Sequence, residues 1–142
     1  MILDLEARLA FAGRWTEQSP YYAAMGISVV ALEEGCARLR LDAGEMHLNA
    51  DGIVHGGVLP ALADAAMGSA LRTLRGEGEQ LLTIESNIRY LRPAGRGSLF
   101  AQGRVVHAGA SIAFMEVEVA DGHGAAVARG GGTFAVRRKE TS

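Results

Sequence analysis

Residues 57–74 read GVLPALADAAMGSALRTL, and this run decides the fold class. Pro60 stands where the first helical turn tolerates it and Gly76 lies just beyond the end, so the pattern predicts one long helix from Gly57 to Leu74. Val58, Leu59, Leu62, Ala65, Ala66, Met67, Ala70 and Leu71 leave hardly any polar face. Such a helix is wrapped by other structure and does not lie on a surface, and its small residues allow close wrapping. Working outward, Ile27 to Asp42 changes period: Ala37, Leu39 and Leu41 alternate with Arg38, Arg40 and Asp42, and Glu34-Gly35 interrupts the run. That is a hairpin with one wet face. Further upstream, Ile2, Leu5, Leu9 and Ala12 recur at helical spacing, predicting a short amphipathic helix over Ile2–Arg14 with Gly13 near its end. Downstream, four extended runs near Leu81–Leu91, Ser98–His107, Ile112–Asp121 and Ala125–Val136 are separated by short Gly-containing turns. Short turns predict antiparallel neighbours. The expectation is an α+β fold: an antiparallel curved sheet wrapped around one long central helix, with a short N-terminal helix, as a single domain over residues 1–142 with its core at about 26–137.

Composition narrows the function classes. Fourteen Lys+Arg against sixteen Asp+Glu give a net charge of −2, which provides no basic field for a phosphate backbone, so no nucleic-acid partner is expected. The longest stretch without Asp, Glu, Lys or Arg runs from Gln18 to Leu32 and contains Pro20 and Gly26, so no membrane span fits. Asp4, Glu6 and Arg8 break up any signal-peptide core, and the expected location is cytoplasmic. Cys36 is the only cysteine, which excludes an internal disulfide; it falls on the Arg38/Arg40 side of its strand with no base beside it. His47, His55, His107 and His123 lack metal-ligand spacing, so neither a metal site nor a cofactor is expected. Trp15, Tyr21 and Tyr22 either staple the N-terminal helix or line a pocket, and stapling is the expectation.

The chemistry concentrates in NADGIVHGG, residues 49–57, which runs directly into the long helix. A helix start presents unpaired N–H groups and attracts negative charge. With glycine at 56 and 57, a ligand oxygen can approach those donors without meeting a side chain, as an oxyanion hole requires. The same glycines also serve a plain tight turn, and spacing does not separate the two. Asp64 lies between Ala63 and Ala65 on a helix expected to be covered, where an unpaired carboxylate is costly. It is either a paired structural group or a base or nucleophile. Gly56 and Asp64 are eight positions apart, about 12 Å along a helix, whereas a base and an oxyanion donor must both come within about 3 Å of one reacting group. If the two cooperate, a second subunit must bring its Asp64 to Gly56, which predicts a homodimer with shared sites.

The string NADGIVHGGVLPALADAAMGSAL resembles the helix-entry motif of the hotdog-fold thioesterases of the phenylacetate-degradation (PaaI) type: an Asn, then Gly-x-x-His-Gly-Gly, then Leu-x-Asp-x-Ala. The resemblance continues through residues 87–94 (NIRYLRPA), through Val117-Glu118-Val119 with its following Asp-Gly turn, and to Gly132-Thr133-Phe134, so it covers roughly Gly26 to Val136. It implies a hotdog fold, a dimer and commonly a dimer of dimers, and hydrolysis of acyl-CoA thioesters, with CoA as part of the substrate. By that resemblance the Gly56 amide and the Asn49 side chain hold the thioester carbonyl, His55 orients their loop, and Gly57 lies beside the substrate. Asp64 from the facing subunit activates water or attacks directly, and Thr83 helps to position the water. One tension follows, because Leu82, Ile84, Ile88 and Tyr90 form an apolar face and alternation puts Thr83 on the other side. Only a dimer partner or a strand bend makes it part of a site. The Ala108–Ser111 turn lacks the Arg or Lys common in relatives, which leaves Arg92, Arg96 and Arg104 as candidates for the CoA phosphates.

Two rival readings use the same fold. A non-catalytic acyl-CoA-binding or regulatory hotdog protein needs no carboxylate, and Asp64 argues against it. An enoyl-thioester hydratase or dehydratase needs acid–base groups at the α and β carbons, which the His-Gly-Gly and Asp arrangement fits less well.

Overall fold

The computed structural model describes residues 4–140. Asp4 caps the first helix, α1 (Leu5–Glu17), by accepting the Ala7 N–H at 2.8 Å. The helix passes through Gly13, where the sequence had suggested its end; Ile2, the first residue of the expected span, lies outside the described residues. A second helix, α2 (Pro20–Met25), was not expected. It is too short to show a period, but it carries a complete punctuation: the Ser19 side chain accepts the Tyr22 N–H, Pro20 opens it, and Gly26 closes it at φ 78°. The hairpin follows as β1 (Ile27–Glu33) and β2 (Cys36–Ala43), then the long helix α3 (Val58–Arg72) and strands β3 (Glu79–Tyr90), β4 (Gly97–Ala108), β5 (Ile112–Asp121) and β6 (Ala126–Arg138).

The six strands form one sheet in the order β1-β2-β4-β5-β6-β3, with every neighbouring pair antiparallel. Helix α3 packs across its concave face, chiefly on β4 and β2, and α1 and α2 cap the open side against α3 and β1. Twelve of the fifteen α3 residues are buried. Close approach is possible because β4 carries Gly103 under the helix, where a Cβ would lie 2.5 Å from the Ala66 carbonyl oxygen. The core joins Leu62, Ala66, Met67 and Leu71 of α3 to Leu39, Leu41, Leu99, Val119 and Phe134 of the sheet. This is the curved antiparallel sheet around one buried helix that the sequence pattern implies, and it has the hotdog architecture that the resemblance implies.

Two features depart from the linear reading. Strand β3 does not sit beside β4 despite the short connection; it crosses to the far edge and pairs with β6, which leaves β1 and β3 as the sheet edges. Its alternation is also broken. Thr83 pairs with Phe134 and Glu85 with Thr133, so Ile84 is an extra residue in a β-bulge. Before the bulge the odd positions face α3, with Leu81 on the core; after it the even positions do, with Ile88 on the core. Leu82 and Ile84 are exposed, so the continuous apolar face from Leu82 to Tyr90 does not exist.

Candidate active site

The three α3 residues that escape full burial are Pro60, Ala61 and Asp64. They form one stripe, and this stripe opens on a cleft of about 780 Å³ whose other wall is Trp15, Tyr21 and Tyr22 from α1 and α2. The aromatic residues expected to staple the N-terminal helix therefore line a cavity beside the carboxylate. Trp15 also packs on Gly68 and under the buried Arg72 guanidinium, so the same ring anchors α1. Burial pushes the Asp64 carboxyl above its usual range, and the hydrogen bond from Thr83 opposes that shift. Thr83 Oγ1 donates to Asp64 Oδ1 at 2.8 Å within the same chain, and the bulge at Ile84 is the strand bend that turns it there. Tyr22 is pushed up to about 12, by burial first and by the Asp64 charge second, so its hydroxyl stays protonated.

The 49–57 loop is a small pinned hairpin. Leu48 bridges to Val54, and Asn49 Oδ1 accepts the N–H groups of Asp51 at 2.9 Å and Ile53 at 3.1 Å. With Oδ1 so held, the Asn49 side-chain NH₂ is the free end, and among the described residues it donates to no protein group. His55 Nδ1 accepts the Gly57 N–H at 2.9 Å, so the imidazole orients the loop and the Gly57 donor is already engaged. The Gly56 N–H has no protein partner among the described residues. Gly56 opens on a second cleft of about 390 Å³, with Ile53, Leu59, Tyr90, Leu91 and Arg92. The loop is also fastened from below by His47, a residue to which the sequence assigned no role. Its buried ring accepts the Gly44 N–H on Nδ1 and donates from Nε2 to the Met25 carbonyl at the end of α2. Its own carbonyl takes the His55 N–H at 2.7 Å.

The thioesterase superfamily model matches residues 51–128, which cover the loop from Asp51 onward, α3, strands β3 to β5 and the start of β6. The chain belongs to the thioesterase superfamily. Its likeness to solved members is global: it superimposes on the PaaI protein of the Escherichia coli phenylacetic acid degradation operon with TM-score 0.85 at 26% identity, covering 98% of this chain and 99% of that one. A conserved protein of Pseudomonas aeruginosa gives TM-score 0.82 at 36% identity over 87% of this chain and 98% of that one. By sequence, a Halobacterium salinarum protein provisionally named an esterase is 32% identical, with 96% of this chain and 97% of that protein covered. The hotdog fold of the PaaI-type thioesterases is thus the fold of this chain.

Within this superfamily member the candidate residues fall into three places. Asp64 and Gly57 line the aromatic cleft, and Thr83 reaches Asp64 by its hydrogen bond. Asn49, His55 and Gly56 lie on the pinned loop, beside Arg92. Arg96 lies nearby on the exposed loop before β4, next to Asp121 and His123. Arg104 stands apart: it follows Gly103 on β4, faces away from α3, and pairs with Glu116 on the outer surface of the sheet. Among the described residues no cluster of His, Cys, Asp and Glu could hold a metal, and no helix is long and apolar enough to cross a membrane.

Proposed function

We propose that the chain is an acyl-CoA thioesterase that hydrolyses a thioester to a free acid and CoA, with water as co-substrate and no cofactor. The observation that carries this reading is the half-exposed stripe on an otherwise buried helix, which presents a single carboxylate, Asp64, of raised pKa to an aromatic cleft beside a hydroxyl donor. A partly desolvated carboxylate whose pKa is raised is a stronger base than a fully exposed one. The Gly56 N–H and the Asn49 side-chain NH₂ supply two donors for the thioester carbonyl oxygen. As water attacks the carbonyl carbon, Asp64 takes its proton, and the oxygen gains charge that these donors stabilise. Collapse breaks the C–S bond, and the thiolate leaves and is protonated. Direct attack by Asp64 is the variant in which the carboxylate oxygen forms an anhydride that water then opens; single-turnover hydrolysis in ¹⁸O-water separates the two.

The two halves of this machinery open on different clefts of one chain, Gly56 on one and Asp64 on the other. A homodimer in which Asp64 of the partner subunit faces Gly56 unites them, and a dimer of dimers is the further assembly that the PaaI resemblance suggests. Edge strand β3, twelve residues long with Leu82 and Ile84 exposed, supplies a surface for pairing. Arg92 and Arg96, exposed near the Gly56 cleft, are the candidates for the CoA phosphates.

The test is a thiol-release screen over aromatic, medium-chain and branched acyl-CoAs with wild type and Asp64→Asn. Turnover in the wild type, reduced at least ~10²-fold in Asp64→Asn, is the expected result. Saturable binding without thiol release points to a binding protein, and, with an enoyl-CoA added to the screen, loss of enoyl absorbance without thiol release points to a hydratase.

A further inference from the structure

We propose that Tyr90 is a positioning residue for the Gly56 N–H, and this role rests on the thioesterase reading above. Tyr90, the last residue of β3, donates its phenolic O–H to the Gly56 carbonyl oxygen at 2.5 Å. The other end of the same peptide unit, the Gly57 N–H, donates to His55 Nδ1 at 2.9 Å. A peptide unit is planar, so gripping its C=O and its N–H fixes the rotation of the whole plane. That plane sits between two glycines, the residues with the most backbone freedom to lose. The preceding unit is held as well, because the His55 carbonyl accepts the Val58 N–H at 2.9 Å. Of the four polar groups on the two peptide units flanking Gly56, three are therefore engaged. The fourth is the Gly56 N–H, free among the described residues and aimed by the other three.

The hydroxyl reaches Gly56 from a strand 34 positions away, across the small cleft that both residues line. A Cβ on Gly56 would lie 3.7 Å from it, ordinary contact distance, so the ring rests against the glycine as well as bonding to it. A donor held in direction before the reaction costs no reorganisation when charge develops on the carbonyl oxygen. The contribution of Tyr90 thus belongs to kcat, where the oxyanion forms, and not to the binding of the ground state.

Tyr90→Phe keeps the ring and removes the O–H. In thiol-release kinetics kcat is expected to fall about tenfold, a fraction of the 10²–10³ carried by an oxyanion donor itself, with KM and the thermal midpoint little changed. The backbone ¹⁵N–¹H resonance of Gly57, read without substrate, is expected to shift because its peptide plane is released at one end. His55→Ala releases the other end of the same plane, so the double variant is expected to lose less than the product of the two single losses. An active wild type whose kcat survives Tyr90→Phe overturns the role alone, as does a change confined to KM or an unmoved Gly57 resonance. A wild type that releases no thiol from any acyl-CoA overturns the thioesterase reading, and this role with it.

Discussion

Asp64 holds its charge at a cost that the protein keeps, and the cost is visible in pH dependence. Burial raises its folded pKa above the ordinary value, about 3.9 for an unfolded Asp. Between those two values the native state binds more protons than the unfolded state, so stability falls as pH rises through that window, and the penalty is fully present above it. Asp64→Asn has no such titration. Its thermal midpoint relative to wild type is therefore expected to be higher at pH 7 than at pH 4, by calorimetry; an equal difference at the two values would mean that Asp64 is not desolvated. Thr83 pulls the other way by donating to Asp64 Oδ1. Thr83→Val removes that donor, so the Asp64 pKa rises further and the acid limb of the kcat/KM profile moves to higher pH. An unmoved limb would show that the hydroxyl does not bond the working carboxylate.

Elements meet here through small residues. Helix α3 lies so close to β4 that a Cβ on Gly103 would fall 2.5 Å from Ala66 O and 2.9 Å from Met67 N, both backbone atoms that cannot rotate away. Gly103→Ala must push the helix from the sheet, with an expected loss of about 1–3 kcal/mol in denaturant unfolding. Gly95→Ala is the control, since a Cβ there meets nothing within 4 Å, and it is expected to change stability by less than about 0.5 kcal/mol. Comparable midpoints for the two variants would show that the helix is free to shift. Because the loop that carries Asn49 and Gly56 leads directly into α3, displacement of the helix is also expected to reduce turnover.

At the scale of the whole molecule, the proposed mechanism depends on what a second chain brings. Asn49→Asp keeps the Oδ1 acceptor that pins the loop and removes the side-chain donors, whereas Asp64→Asn removes the proposed catalytic carboxylate. In a two-fold dimer with shared sites, a mixed pair holds one doubly damaged site and one intact site. Random reassembly of equal amounts makes half the dimers mixed, so two inactive proteins are expected to recover roughly a quarter of wild-type turnover. If subunit exchange is shown by mass spectrometry and turnover stays at the level of the separate variants, each site is built within one chain.

How much of this was legible in the chain follows from how local each signal is. The burial of α3, the hairpin about Glu34-Gly35 and the extended runs after Gly78 were written in residues a few positions apart, because apolar periodicity and turn residues act over one or two turns of chain. The Asn49 to Asp64 motif was legible for the same reason. Only the tertiary structure decided that β3 lies beside β6, since neither strand carries a local mark of a partner about fifty residues away. It also decided the side to which Thr83 turns: the bulge at Ile84 reverses the parity of β3 and has no residue signature such as glycine. Trp15, Tyr21 and Tyr22 look alike whether they staple a helix or line a cleft, and Tyr90 shows no link to Gly56 in the linear pattern. Their roles depend on which surfaces α1, α2 and the end of β3 meet, and packing settles that only once the whole sheet has closed around α3.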